Sequence, residues 1–125
     1  GQLCIDGYRE RLILDPGSPS SYPEEYFDGP RANYYNLAVR GHNVLMFDRE
    51  QQWREPDVRG EKMTAERHHG AIVAQLDEPG IGAGWKMDLT PVYKGAVKIT
   101  RTVLHLLPGY VAVLDEAELS KEQQV

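Results

Sequence analysis

This 125-residue chain contains a single cysteine, Cys4. A single cysteine excludes an internal disulfide and a zinc site built from several cysteines. Because unpaired cysteines are among the most frequently buried residues, we expect the thiol in the segment LCI to be buried.

Long apolar runs and blocks of positive charge are missing as well. The longest apolar runs include VLMF at 44–47 and VAVL at 111–114, far short of the roughly 20 residues that a membrane-spanning helix needs. The formal net charge is −5 and neither Lys nor Arg forms a block, so the cationic surface that nucleic-acid binding requires is lacking. We therefore expect neither nucleic acid nor a membrane as a partner.

Neither end of the sequence has the features of a natural chain terminus. It begins at Gly1 without Met or a leader, and its last residues, SKEQQV, contain no turn or cap. The length is typical of one domain. We expect one domain over residues 1–119, with 120–125 as a truncated continuation, in a piece of a longer protein.

Helical periodicity is scarce, and what is present instead is alternation of β-branched and aromatic residues with polar ones between Pro and Gly residues. This pattern predicts an all-β fold, namely an antiparallel β-sandwich of two layers. DGY at 6–8 and LPG at 107–109 predict the turns of two hairpins. The charged segment 48–69, with a short helical turn near 62–67, and DEPGIGAG at 77–84 predict surface loops. Predicted strands cover 2–6, 9–15, 33–47, 70–77, 84–89, 92–107 and 110–116.

An acid, Asp15, ends an apolar strand in the segment LDPGSPSSY and raises the question of its purpose. Aspartate before Pro-Gly is a common start of a turn, but the residue could also bind a metal or act in catalysis. Alternation within 33–47 places His42 on the polar face of its predicted strand. Together Asp15 and His42 can supply two of the three or four ligands that zinc requires.

The other histidines favour structural interpretations. RHHG at 67–70 places His68 next to His69, and neighbouring side chains on a strand point to opposite faces, so we expect a solvated loop rather than a metal pair. His105 lies among leucines and is expected to be a hydrogen-bonded histidine of the sheet. GIGAG at 80–84 lacks the Lys of a phosphate-binding loop, and no Ser, His and acid have the order of a catalytic triad.

Aromatic residues flank the segment between Asp15 and His42. Flat apolar rings can bind the C–H faces of sugars, but the same rings can pack within the protein. Both interpretations stay open for this group, which comprises Tyr22, Tyr26, Tyr34, Tyr35 and Trp53.

Three segments in this order resemble the heparinase II/III-like β-sandwich region of bacterial polysaccharide lyases. They are GQLCIDGYRERLILDPGSPSSY, GHNVLMFDREQQ and YKGAVKITRTVLHLLPGYVAVLDEAEL. The features that carry the likeness are a strand ending in DPG and followed by Tyr, HN before an apolar strand, and the hairpin around PGYV. The likeness extends over most of residues 1–119.

This resemblance implies an enzyme with an α/α toroid before the sandwich and an acidic polysaccharide, such as a glycosaminoglycan, in the cleft between them. Such enzymes cleave uronate-containing chains by β-elimination: a base removes the C5 proton while polar or cationic groups neutralise the carboxylate. It also implies a structural zinc ion held by Asp15, His42 and a further histidine upstream of residue 1. Tyr22, Tyr26 and Arg40 are then candidates for substrate binding, catalytic residues lie upstream, and the protein is periplasmic or secreted.

Two functions of different classes follow. The first is the C-terminal sandwich portion of a polysaccharide lyase for acidic glycans, inactive as this piece alone. The alternative is a non-catalytic carbohydrate-binding or structural β-sandwich module, in which Asp15 only forms a turn. A cupin-like metalloenzyme needs two ligand histidines one residue apart, and GHN at 41–43 supplies one.

Charge and sheet edges add two expectations about partners. Because the chain is negatively charged overall, a polyanion must contact local cations; the candidates are Arg31, Arg40, Lys94, Lys98 and Arg101, of which Arg101, between threonines, is expected to be structural. Exposed sheet edges recruit further strands. A strand added by the absent N-terminal region, or by another chain in a homo-oligomer, is left open.

Overall fold

A computed structural model of the chain describes residues 1–24, 26–27, 34–47, 69–93 and 95–120. The chain divides into two compact units, one within residues 2–51 and the other formed by Gly1 and residues 52–124. The expectation of a single domain over 1–119 stays a prediction, because one domain can contain two compact units.

The first unit begins with an antiparallel hairpin of β1 (Ile5–Gly7) and β2 (Glu10–Ile13). Its turn is formed by Tyr8 and Arg9, whose φ angles are 56° and 65°. Two consecutive residues with positive φ are typical of the two-residue turns whose twist matches that of the strands. The predicted hairpin is confirmed, with shorter strands and a turn slightly later in the chain than expected.

The predicted strand over 33–47 is wrong. Its described part contains a 3-10 helix at Val39–Gly41, and the amides of Leu37 and Ala38 both donate to the carbonyl of Tyr34 at 2.9 and 2.8 Å. Burial here does not follow the alternation of a strand, because Ala38 is 1% exposed whereas Tyr35 is 63% exposed. The backbone closes on itself here instead of extending.

Cys4 is exposed, contrary to the expected buried thiol. Its neighbours Leu3 and Ile5 are both less exposed. Successive side chains of an extended segment point in opposite directions, so turning Leu3 and Ile5 inward directs Cys4 to the surface.

The second unit contains a four-stranded antiparallel sheet in the order β3-β4-β5-β6. The predicted LPG hairpin is confirmed between the last two strands, and the loop predicted at 77–84 shrinks to 79–81, because both flanking strands extend into it. A 3-10 helix at Thr90–Val92 replaces the predicted start of the long strand. The strands are β3 (Ala71–Glu78), β4 (Gly82–Asp88), β5 (Ala96–Leu106) and β6 (Tyr110–Leu119).

The core of the second unit lies on the middle of β5. Ile99 is fully buried and Val103 is 3% exposed, and Leu89 and Tyr93 are buried nearby in the sequence. Every residue of β3 is exposed, and so is most of β6. The two outer strands of the described sheet therefore contribute little to this core.

The all-β, antiparallel fold class is confirmed: the described residues form two antiparallel sheets, of two and four strands, and their helices are 3-10 helices. Face-to-face packing of two layers stays a prediction. Within the described residues, no helix has the length and apolar character needed to cross a membrane. The segment expected to form a charged loop with a helical turn lies, except for His69, outside the described residues.

Candidate functional site

Asp15 forms a turn, which is one of the three roles considered for it besides metal binding and catalysis. Its Oδ1 accepts the backbone N–H of Gly17 at 2.6 Å, closing a turn of the kind that aspartate makes with the amide two residues later. Gly17 has a φ of 67°, a left-handed conformation that glycine adopts without steric cost. One carboxylate oxygen is therefore used locally, and the other remains for a more distant partner.

His42 lies beside that second oxygen. Its Nδ1 is 3.4 Å from Asp15 Oδ2, and the two side chains are 19% and 38% exposed respectively. This separation is too long for a strong hydrogen bond, and Nδ1 is buried without a hydrogen-bond partner. Buried polar atoms are nearly always satisfied, so this nitrogen is the most unusual polar atom of the site.

Asn43 explains how His42 reaches Asp15. Its side-chain amide donates to the carbonyl of Leu3 at 2.7 Å and accepts the Leu3 amide at 2.8 Å. These two hydrogen bonds to the backbone of Leu3 resemble a short β-bridge. They hold the 42–43 segment against the residues before β1. Gln2, next to Leu3, donates from Nε2 to Asp15 Oδ2, so the same segment also holds the carboxylate.

The hydrogen bond from Gln2, followed by that from the amide of Gly17 and by the proximity of His42, holds the pKa of the Asp15 carboxyl below its ordinary value. Hydrogen bonds to the charged form of a carboxyl favour that form. Asp15 is therefore ionised at neutral pH and presents an acceptor, which is the state that a metal ligand needs.

The donors present fit two positions of a zinc site. A carboxylate oxygen and an imidazole nitrogen are ligands that zinc accepts, and the buried Nδ1 of His42 lies 3.4 Å from Oδ2 of Asp15. No group of three or more His, Cys, Asp or Glu side chains able to hold a metal occurs in the described ranges.

Three of the aromatic residues predicted near the site, Tyr22, Tyr26 and Tyr34, form a cluster with Phe27. The ring centroid of Tyr26 lies 4.8 Å from that of Tyr22 and 5.2 Å from that of Tyr34, and Phe27 joins the group at 4.9 Å from Tyr22. Tyr26 is 3% exposed, whereas Tyr22 and Phe27 are 51% and 57% exposed. Tyr26 therefore supports the cluster from within, and Tyr22 is one of its solvent-facing rings.

Asn36 links this cluster to the turn that carries Asp15. Its Nδ2 donates to Tyr26 Oη at 2.8 Å and to the carbonyl of Gly17 at 2.9 Å. The aromatic cluster and the Asp15 turn are consequently parts of one hydrogen-bonded region within residues 2–51. Arg40, the third predicted substrate residue, is exposed on the 3-10 helix that ends one residue before His42.

The remaining described candidates, His69, Lys98, Arg101 and His105, belong to the other compact unit. His69 is exposed. His105 lies on β5 and is exposed, and its expected hydrogen bond stays a prediction. Arg101 is structural, as expected: it is 5% exposed and its guanidinium binds Asp115. Lys98 is exposed on β5. Those that lie outside the described residues are Arg31, Trp53, His68 and Lys94.

Three residues that position the site were missed in the sequence: Gln2, Asn36 and Asn43. All three are amides, whose donor and acceptor can bond two groups at once. The only signal was the position of Asn43 in HN, directly after the candidate ligand. Nothing local marks Gln2 or Asn36, because their partners are distant in the chain.

No protein-family model matches the chain, and a search of curated proteins gave no match either. The geometry of the site is therefore the main basis for a function.

Proposed function

We propose that this chain is the C-terminal β-sandwich portion of a polysaccharide lyase similar to the heparinase II/III-like family, acting on uronate-containing acidic glycans. In this proposal the chain supplies a structural metal site and part of the glycan-binding surface. The base, the acid and a third metal ligand come from a region upstream of residue 1, including an α/α toroid. The enzyme acts in the periplasm or outside the cell.

The observation that carries the proposal is the contact between Asp15 and His42. The two residues are distant in sequence, yet Nδ1 of one lies 3.4 Å from Oδ2 of the other. A turn-forming aspartate alone does not require a buried imidazole nitrogen without a hydrogen-bond partner beside it. When bound, zinc would join the Asp15 turn to the 42–43 segment and so stabilise the site.

Zinc binding tests this arrangement. We expect the chain to bind Zn²⁺ with the weak affinity of a site having two protein ligands, and Asp15→Ala and His42→Ala to abolish binding in isothermal titration calorimetry. The matched controls are Asp6→Ala and His105→Ala, which remove an exposed acid and an exposed histidine and should leave binding unchanged. Equal loss in the controls, or no zinc binding by the unaltered chain, would contradict the proposed metal site.

Substrate contact is assigned to Tyr22 and Arg40. Tyr22 offers an exposed ring to the apolar face of a sugar. Arg40 can bind a uronate carboxylate through two parallel N–H donors, which meets the need of an otherwise acidic chain for local positive charge. Neutralising that carboxylate is what makes the C5 proton removable in β-elimination.

Activity is to be measured on the chain extended by its natural upstream sequence. Incubation with uronate polymers should raise the ultraviolet absorbance as unsaturated uronates form, and Arg40→Ala should lower kcat/KM by about tenfold to a hundredfold, the usual range for a lost charged contact. Arg11→Ala is the control, because that exposed arginine lies on β2 and is not among the proposed substrate residues. Absence of any absorbance change on all uronate polymers would refute the lyase assignment.

A second candidate function, a carbohydrate-binding module without catalysis, is favoured by the exposed rings of Tyr22 and Phe27. It predicts glycan binding that Tyr22→Ala weakens and that zinc and the Asp15→Ala substitution leave unchanged. The lyase proposal predicts that Asp15→Ala weakens both zinc binding and turnover. The two candidates are therefore separated by the same set of variants.

A further inference from the structure

The strand β6 lies at one edge of the described four-stranded sheet. Within the described part of the chain, its neighbour is β5 on one side, and no strand pairs with the other side. Its first half, Tyr110 to Leu114, contains no charge, Pro or Gly, and all five residues are exposed. Edges of this composition pair readily with another strand, and proteins ordinarily protect them with Lys, Pro or a bulge.

The opposite edge, β3, is less suited to pairing. A register shift between Ile72 and Ala74 marks a bulge in that strand, and bulges bend an edge away from a regular ladder. Pairing of β6 with β5, in contrast, runs without a shift from Lys98 to Leu106. β6 is therefore the more regular template of the two edges.

The sequence of β6 is self-complementary in one antiparallel register. A two-fold axis at Ala112 places Tyr110 opposite the partner copy's Leu114 and Val111 opposite its Val113. Tyr110, Ala112 and Leu114 point to one face of the sheet, since they oppose Leu106, Leu104 and Thr102 of β5, and the two valines point to the other. Both faces thus match across the axis, as a continuous sheet requires.

Charge disfavours registers centred nearer the acidic C-terminal half of β6. An axis at Asp115 would set that carboxylate against its own copy, and like charges directly opposite are destabilising. With the axis at Ala112, Asp115 and Glu116 lie opposite the partner's uncharged turn, Gly109 and Pro108. Both acids are also neutralised within the chain, by Arg101 at 2.7 Å and Lys86 at 2.8 Å.

We propose that two copies of this chain pair through the 110–114 half of β6, with the two-fold axis at Ala112, to form a continuous eight-stranded antiparallel sheet. The occupant of the edge is a second copy, because the apolar match and the avoidance of acid-acid contacts arise from the strand's own sequence. This assembly is independent of the proposed metal site and glycan surface, which lie within residues 2–51.

Covalent capture tests the register. Opposed residues of antiparallel strands have Cα atoms about 4.5–5.5 Å apart, within the range of disulfides. In a Cys4→Ser background, Ala112→Cys should form a disulfide-linked dimer on mild oxidation, seen on non-reducing gels. Gln75→Cys, an exposed position in the middle of β3, is the matched control and should stay monomeric. Failure of Ala112→Cys to crosslink, or equal crosslinking of the control, would overturn the register.

Charge exchange tests the same axis without a crosslink. Analytical ultracentrifugation should show a concentration-dependent dimer for the unaltered chain, and Ala112→Lys and Ala112→Glu should each weaken it by at least about tenfold, since each opposes two like charges. Mixing the two variants should restore a dimer, because Lys then faces Glu. Gln75→Lys should leave dimerisation unchanged.

Circular dichroism of each variant shows whether it keeps its strand content. If the unaltered chain is monomeric at every concentration measured, or if its dimer survives Ala112→Lys, the proposal is wrong. A dimer that is lost in either Ala112 variant and restored in their mixture would support it, because misfolding would not be repaired by mixing.

Discussion

Gly41 illustrates how a residue without chemistry of its own positions the candidate site. A Cβ atom at this position would lie 1.9 Å from the carbonyl oxygen of Tyr35, so only glycine lets the backbone pass. The residue ends the 3-10 helix and directly precedes His42. The position of the His42 imidazole beside Asp15 therefore depends on the absence of a side chain at Gly41.

Gly41→Ala should destabilise the chain by about 2 kcal/mol, the middle of the range for forcing an extra group into a packed site. The overlap is with backbone, which cannot rotate away as a side chain can. The change in the free energy of unfolding is measured by urea denaturation, monitored by the near-ultraviolet circular dichroism of the tyrosines. The control is Gly7→Ala, whose added Cβ would meet the Leu12 side chain at an ordinary 3.4 Å; equal destabilisation by both would show that the contact with Tyr35 is not the cause.

The β5–β6 pair is held by more than its backbone ladder. Arg101 lies opposite Asp115, and Nε and Nη2 of the guanidinium donate to the two carboxylate oxygens at 2.7 Å each. A third donor, Nη1, binds the carbonyl of Gly1. The hydrogen bonds and the charge of Asp115 raise the pKa of Arg101 despite its burial, so the guanidinium is charged at neutral pH.

Removing one partner of this buried pair should cost more than removing both. Asp115→Ala leaves the buried guanidinium without its carboxylate, and we expect a loss of about 3 kcal/mol. The double variant Arg101→Met, Asp115→Ala should recover a large part of that loss, because no charge is left in the core. Chemical denaturation of the two single variants and the double variant measures the coupling. Additive effects of the two single substitutions would mean that the pair does not act as a unit.

Across the whole molecule, several carboxylates are stabilised in their charged form. Hydrogen bonds from Thr90 lower the pKa of Asp88, and a hydrogen bond from Lys86, followed by one from Thr100, lowers that of Glu116. Asp15 has a lowered pKa as well. A carboxyl with a pKa lower in the folded than in the unfolded chain stabilises the fold fully above its unfolded value, near 4.

That contribution is lost as the pH falls through the lowered pKa values of the folded chain. We therefore expect the urea midpoint to be constant from neutral pH down to about pH 5 and to fall below pH 4. Asp88→Asn should flatten this decline, since the amide does not titrate. Thr90→Val, which removes the hydroxyl donor but keeps the carboxylate, should flatten it less. An unchanged decline in Asp88→Asn would exclude Asp88 as a contributor.

The sequence by itself determined the all-β class, both hairpins and the four strands of the larger sheet, with bounds mostly shifted by a few residues. Alternation and Pro-Gly turns depend on neighbours in the chain, and neighbours are visible in a sequence. It also brought Asp15 and His42 forward as two candidate zinc ligands, first by residue type and strand position and then by resemblance to a family.

Only the tertiary structure decided how that pair meets. The 34–47 segment alternates like a strand, yet a backbone contact at Gly41 and the double hydrogen bond of Asn43 to Leu3, 40 positions away, fold it into a turn. Gln2, Asn36 and Asn43 have no local pattern, because their partners are chosen by the folded backbone. The same reason places Cys4 outside and Tyr26 inside: which side of a segment is buried depends on what the rest of the chain packs against it.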